Sequence, residues 1–191
     1  MHLHGYMTTT TDIHPDYRTG TWKLDPTHSE VSFTVKHLMI SKVRGTFETF
    51  DVTIVTAEDP KDSTIEATID VASVKTGVEP RDQHLRTSDF FLVEEHPVMT
   101  FVSTSFDGDA DDFTVTGDLT LRGVTKSVVL KGEFGGIITD GYGQTKAGAT
   151  ATTKINRHDF GVSWNNALEG GGVTLGDDVT INLDLQVVLQ P

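Results

Sequence analysis

The chain carries eight histidines and no cysteine, and where those histidines stand decides what chemistry they could do. His28, His37, His84 and His96 come from separate segments, while His2 and His4 lie at the N-terminus. No pair in the barrel-forming region has the close spacing that puts two imidazoles on one metal, and no thiolate is there to complete a zinc site. No metal ion is expected. His28 and His37 are expected to hydrogen-bond at strand ends or to touch the head of a ligand. The densest group of reactive side chains is Arg81, Asp82, His84 and Asp89. Asp82 or Asp89 could orient His84 as an acid–base pair. The preferred reading is that Arg81–Asp89 and Arg86–Asp82 pairs pin a short helix, the second at the i, i+4 spacing of a helix face. No serine stands in a Gly-x-Ser-x-Gly elbow. The Gly170-Gly171-Gly172 run lacks the Lys-Ser/Thr of a phosphate-cradling loop and reads as a flexible loop. Arg157 with Asp159 reads as a salt-bridged strand end, and Trp22 and Trp164 as core or rim residues. No catalytic residue and no bound cofactor are expected.

Charge narrows the partners. A formal net charge of −13 repels nucleic acid and anionic membrane surfaces, because phosphate binding needs basic side chains to displace counterions. No stretch of about 18 apolar residues could cross a bilayer, so membrane insertion is not expected. Residues 1–21 hold no apolar run of secretory length, which makes the cytoplasm the expected location.

From Thr21 onward the hydrophobic pattern has period two, as a strand with one buried face requires. Val31, Phe33 and Val35 alternate with polar residues, and so do Phe50, Val52 and Ile54, then Ile65, Ala67, Ile69 and Val71. Shorter or interrupted cases follow at Met99 and Phe101, at Phe113 to Leu121 around Gly117, and at Val128 to Phe134 around Gly132. Ala147, Ala149, Ala151 and Ile155 share a small-residue face, and Val179 to Leu189 is the clearest strand. This predicts about eight strands, with turns at Asp107 to Asp112, Gly135-Gly136, Asp140-Gly141 and Glu169 to Asp178. Two segments break the alternation. Residues 37–43 place Leu38, Met39 and Val43 along one side of a short helix, and Glu79 to Arg86 opens with Pro80 like a helical turn or two. The fold class is all-β, an eight-stranded antiparallel barrel with one or two short helices at its mouth; a β-sandwich has the same periodicity. Ala147, Ala149, Ala151, Gly117 and Gly132 would leave the interior partly unfilled. Residues 1–20 read as a flexible tail and 21–191 as the barrel domain.

Five stretches, in order and with matching spacing, resemble the YceI family of bacterial polyisoprenoid-binding proteins. They are Trp22-Lys23-Leu24-Asp25-Pro26-Thr27-His28-Ser29; Val35 to Phe47 through His37 and Gly45; Arg81 to Phe91, closing with His96-Pro97 and Thr100-Phe101; Gly117 to Lys126; and Ile155-Asn156-Arg157-His158-Asp159-Phe160-Gly161. The resemblance spans roughly Thr21 to Leu189. It implies an extended lipocalin-like barrel whose apolar tunnel takes an isoprenoid or other long chain lengthwise, for storage or transport. It further implies a set of ligand-binding residues. Phe33, Val35, His37, Leu38, Met39, Val43 and Phe47 come from the first half. His84, Phe90, Phe91 and Phe101 follow from the middle, then Leu119, Leu121, Phe160 and Trp164. Leu38, Met39 and Val43, with Phe90 and Phe91, would line or gate the tunnel from the two short helices. Relatives are often dimeric, so a homodimer is open, and many are secreted to the periplasm. The alternative activity is a lipid-modifying enzyme with His84 and a neighbouring Asp as acid–base pair.

Overall fold

The computed structural model describes residues 15–109, 111–166 and 174–191. Residues 1–14 of the expected tail, and the Gly170-Gly171-Gly172 run within the expected turn at 169–178, lie outside the described residues. Eleven strands form: β1 (Gly20–Leu24), β2 (Glu30–His37), β3 (Ser41–Phe47), β4 (Phe50–Thr56), β5 (Thr64–Asp70), β6 (Val74–Lys75), β7 (Val98–Gly108), β8 (Phe113–Leu121), β9 (Val124–Thr139), β10 (Thr145–Asn156) and β11 (Leu175–Leu189). One α-helix, α1 (Glu79–Leu85), precedes β7. The first six strands are three long ones, each interrupted once, so eight long strands run antiparallel. β11 returns to pair with both β1 and β2 and closes the barrel. That closure excludes the sandwich and pairs β1 with β11, which would otherwise leave an open edge that invites other chains.

The three interruptions have local causes. Between β1 and β2, Asp25 caps a 3-10 turn, Pro26–His28, and accepts hydrogen bonds from the Thr27 hydroxyl (2.7 Å) and His28 Nδ1 (2.9 Å). The same turn clasps β11, because Asp25 N donates to Gln186 O and Gln186 N donates to Ser29 Oγ. Between β5 and β6, Asp70 caps the turn Val71–Ser73, whose Ser73 Oγ accepts from Thr49 N at the break between β3 and β4. Two of the kinks are therefore bonded to each other.

At the α1 end β6 pairs with β3, not with β7, and α1 lies in the connection between β6 and β7. Pro80 in its first turn has no amide to leave unsatisfied. Arg86 donates from Nε to Ala72 O (2.9 Å) and from Nη2 to Val74 O (3.4 Å), tying the end of the helix to the chain around β6. The other expected helix does not form. Residues 37–43 are the tip of the β2–β3 hairpin, where His37 pairs with Ser41 and Leu38 and Met39 adopt left-handed backbone conformations. The ladder from Val31–Phe47 to His37–Ser41 overrides the short helical spacing, leaving Leu38, Met39 and Ile40 exposed, Ile40 by 87%. Gly135-Gly136 is not a turn either. β9 runs through it, and the register against β10 shifts there, the mark of a β-bulge.

Glycines within strands serve as seats for rings rather than as empty volume. A Cβ on Gly45 would stand 2.3 Å from Phe33 Cζ, on Gly117 2.4 Å from Phe101 Cζ, and on Gly132 2.3 Å from Phe113 Cζ. The expectation that Gly117 and Gly132 leave space is corrected: aromatic rings lie over both. Ala147, Ala149 and Ala151 do face a hollow.

Candidate ligand-binding site

Alternation along the strands sends Phe33, Val35 and His37 of β2 inward beside Val43 and Phe47 of β3. Met99, Leu121 and Ile155 join from β7, β8 and β10, and Val179 and Ile181 from β11. The α1 segment covers them with Arg81, His84, Leu85, Phe90 and Phe91. Together they enclose a hollow of about 240 Å³, whose wall is almost entirely hydrocarbon. Its aromatic rings fall into two groups. Phe33 meets Phe47 at 5.5 Å between ring centroids, Phe47 meets Phe91 at 6.0 Å, and Phe90 meets Trp164 at 5.3 Å. His84 stands edge-on to both Phe90 and Trp164, at 4.9 and 4.8 Å. Such pairs favour one arrangement of the cap over others.

Most of the residues singled out from sequence meet in this hollow, and five do not. Leu38 and Met39 stand outside on the hairpin tip, because the helix that would have turned them inward is absent. Phe101 and Leu119 are buried one layer deeper, in the packed middle of the barrel. Phe160 is 1% exposed, enclosed in the core by the 3-10 turn Arg157–Phe160. The sequence reading missed Thr76, Leu85, Met99, Ile155, Arg157, Val162 and the β11 residues; the inward phase of β11 was visible in its strict alternation.

The expected ion pairs of the helix region rearrange around Thr76. Asp82, 2% exposed, accepts from Thr76 N (2.9 Å) and Thr76 Oγ1 (2.5 Å), while Arg81 donates to Thr76 Oγ1 (2.6 Å) and Thr76 O (2.7 Å). Asp89 is taken by His84 Nε2 at 2.8 Å, and Arg86 lies 3.7 Å from Glu79. Arg81–Asp89 and Arg86–Asp82 therefore give way to these partners. His28 keeps its structural role with Asp25, and His37 lines the hollow.

Arg157 also departs from expectation. It does not pair with Asp159 but is 4% exposed and lines the hollow. Its Nε donates to Gly176 O (2.8 Å), and its Nη1 donates to Val162 O (2.8 Å) and Trp164 O (2.9 Å). Gly176 stands where β11 loses register against β2, between Leu175 and Val179. Burial lowers the guanidinium pKa from its ordinary value, with the field of Asp177 acting in the opposite direction. Asp177 itself pairs with His158 Nε2 at 2.7 Å.

A second apolar hollow, of about 200 Å³, lies toward the other end. Trp22, Ile54, Ile65, Phe113, Phe134 and the three alanines of β10 are among its walls, and Tyr17, Pro60 and Lys61 stand with them. Tyr17 hydrogen-bonds to Ala57 O and Ser63 Oγ, which ties this part of the N-terminal segment to the barrel. The two hollows have no wall residue in common. Along the strands, the positions between them are held by Val31, Val52, Ile69, Phe101, Leu119 and Thr153, all buried.

Residues 22–187 match the YceI-like domain family. The UPF0312 protein SAS2572 of Staphylococcus aureus (strain MSSA476) is 41% identical over 159 residues, covering 81% of this chain and 90% of its own. Among solved structures, a YCEI protein of Campylobacter jejuni is 32% identical with a TM-score of 0.69, over 82% of this chain and 90% of that one. A polyisoprenoid binding domain from Saccharophagus degradans shares the fold at 17% identity, with a TM-score of 0.64 over 91% of this chain and 100% of the domain. The matched span begins at Trp22 of β1 and ends at Val187 of β11, the two strands whose pairing closes the barrel, and on that agreement of sequence and architecture this chain belongs to the YceI family.

Proposed function

We propose that this protein binds a long apolar chain non-covalently inside its barrel, an isoprenoid or similar amphiphile, and stores or carries it. The observation that supports this most is the hollow beneath α1, walled by hydrocarbon and aromatic rings with no Asp or Glu among its described lining residues. Each methylene moved there from water contributes about 0.8 kcal/mol, offset in part by the cost of ordering the chain. Length and fit, rather than polar contacts, then set affinity. A pocket for a drug-sized ligand measures about 300–1,000 Å³, so either hollow alone is small and the two together are of that size. A chain of polyprenyl length has to reach from one to the other, displacing side chains of the Phe101–Leu119 layer as it passes. The Saccharophagus domain, which binds polyisoprenoid on the same fold, supports the same class of ligand.

One observation favours an enzymatic reading: His84 and Asp89 form the oriented pair that acid–base chemistry uses. Among the described lining residues, however, both hydroxyls are already committed, Thr76 Oγ1 to Asp82 and Arg81 and Thr174 Oγ1 to Asn166 O. Binding is the better supported role. Native mass spectrometry of the purified protein, with an organic extract analysed in parallel, tests it. One chain-like apolar molecule per barrel is expected. Absence of such a molecule, together with no uptake of added polyprenol, overturns the proposal. His84→Ala should leave the captured molecule chemically unchanged from the parent's; a substrate accumulating in the variant and a product in the parent would establish the enzyme instead.

A further inference from the structure

Arg157 has three of its five N–H groups on nitrogens already donating to carbonyl oxygens, but Nη2, which carries the other two, has no hydrogen-bond partner although it is buried. A buried donor left unmade costs free energy, and a buried guanidinium costs more unless an anion meets it. No carboxylate does so here. No ion pair joins Arg157 to any described Asp or Glu, Asp177 being engaged by His158. The side chain is held in place, since Nε and Nη1 donate to the carbonyls of Gly176, Val162 and Trp164. The unpartnered nitrogen therefore belongs to a residue held in the wall of an apolar cavity.

Resting on the chain-binding reading above, we infer that Arg157 is the head-group receptor, and that the ligand class it selects is a long-chain monocarboxylate. The geometry chooses among anions. With Nε and Nη1 spent, the two-nitrogen fork that clamps phosphate is not available, and one nitrogen remains to serve one carboxylate. A phosphate monoester brings about −1.5 to −2 charges and three acceptor oxygens into a wall made mostly of hydrocarbon. Arg81, the other guanidinium in that wall, already donates to Thr76 through Nε and Nη2. A single negative charge matches the guanidinium charge of Arg157, which no described carboxylate pairs. An alcohol of the same chain length would fill the same apolar space and leave that charge unmatched.

The test is a matched ligand series on delipidated protein: hexadecanoic acid, hexadecanol, methyl hexadecanoate and hexadecyl phosphate, titrated by calorimetry below their critical micelle concentrations. The acid is expected to bind about tenfold or more tightly than the alcohol and the ester, the ratio that one charge-assisted hydrogen bond gives. Arg157→Gln should bring the acid-to-alcohol ratio close to one. If Arg157→Gln does not fold, the wild-type series decides alone. Equal binding of acid, alcohol and ester overturns the head-group assignment while leaving chain binding intact. Tighter binding of the phosphate overturns the monocarboxylate class. Failure of all four to bind overturns the chain-binding reading itself, and this inference with it.

Discussion

Single residues here are constrained by what lies across the strand from them. Gly117 has Phe101 Cζ and Val102 O within 2.7 Å of where a Cβ would stand, and the backbone oxygen cannot move aside as a side chain can. Gly117→Ala should therefore destabilise the barrel by about 1–3 kcal/mol, the usual cost of overpacking a filled site. Urea denaturation measures this, and adding Phe101→Leu should recover part of the loss; a fully additive double variant would contradict the ring-seat explanation. Asp25 makes a second prediction at this scale. Hydrogen bonds from the Thr27 side chain, then from His28, hold its carboxyl pKa below the ordinary 3.8. The unfolded chain then binds the proton more tightly than the folded one. The resulting stabilisation is complete above pH 3.8 and is lost as pH falls through the lower folded value. Asp25→Asn should be less stable than the parent at neutral pH, with the difference closing on acidification. Thermal melts from pH 7 downward check it, and a difference that stays constant would refute it.

Among the elements, α1 and its flanking loop decide whether the α1 end is shut. Asp82 anchors them by accepting two hydrogen bonds from Thr76 while buried. Asp82→Ala should cost about 1–3 kcal/mol and concentrate its effect locally, so amides of α1 should exchange faster with deuterium while those of β9 and β10 should not. Uniform acceleration would show that the helix is an integral part of the barrel rather than its cover. This helix was legible in the sequence because Pro80 opens it and the period-two pattern stops there. The β2–β3 hairpin was misread for the opposite reason: Leu38, Met39 and Val43 have helical spacing, and only the pairing of β2 with β3 shows that two of the three sit at an exposed tip. Strands with strict alternation, β11 above all, revealed both their existence and their buried face. Of the pairs considered around α1, His84–Asp89 forms; Arg81–Asp89 and Arg86–Asp82 do not, because Arg81 and Asp82 bond to Thr76, which the i, i+4 spacing of charges does not reveal. Arg157 was legible as part of a motif but not as a cavity residue, since burial of a guanidinium on carbonyl oxygens leaves no compositional trace.

Taken as a whole molecule, the barrel has a tryptophan at each of its two hollows, Trp22 in one and Trp164 in the other, and these are the chain's two tryptophans. Each therefore reports on its own chamber. In the variants Trp22→Phe and Trp164→Phe, the remaining indole can be titrated with a long-chain amphiphile brominated midway along its tail, bromine quenching emission at short range. Binding inside the barrel predicts saturable quenching in both variants, complete at one chain per protein, with an octyl-length analogue quenching Trp164 alone. If neither indole responds before the amphiphile forms micelles, the chain does not enter, and the interior is not the binding site.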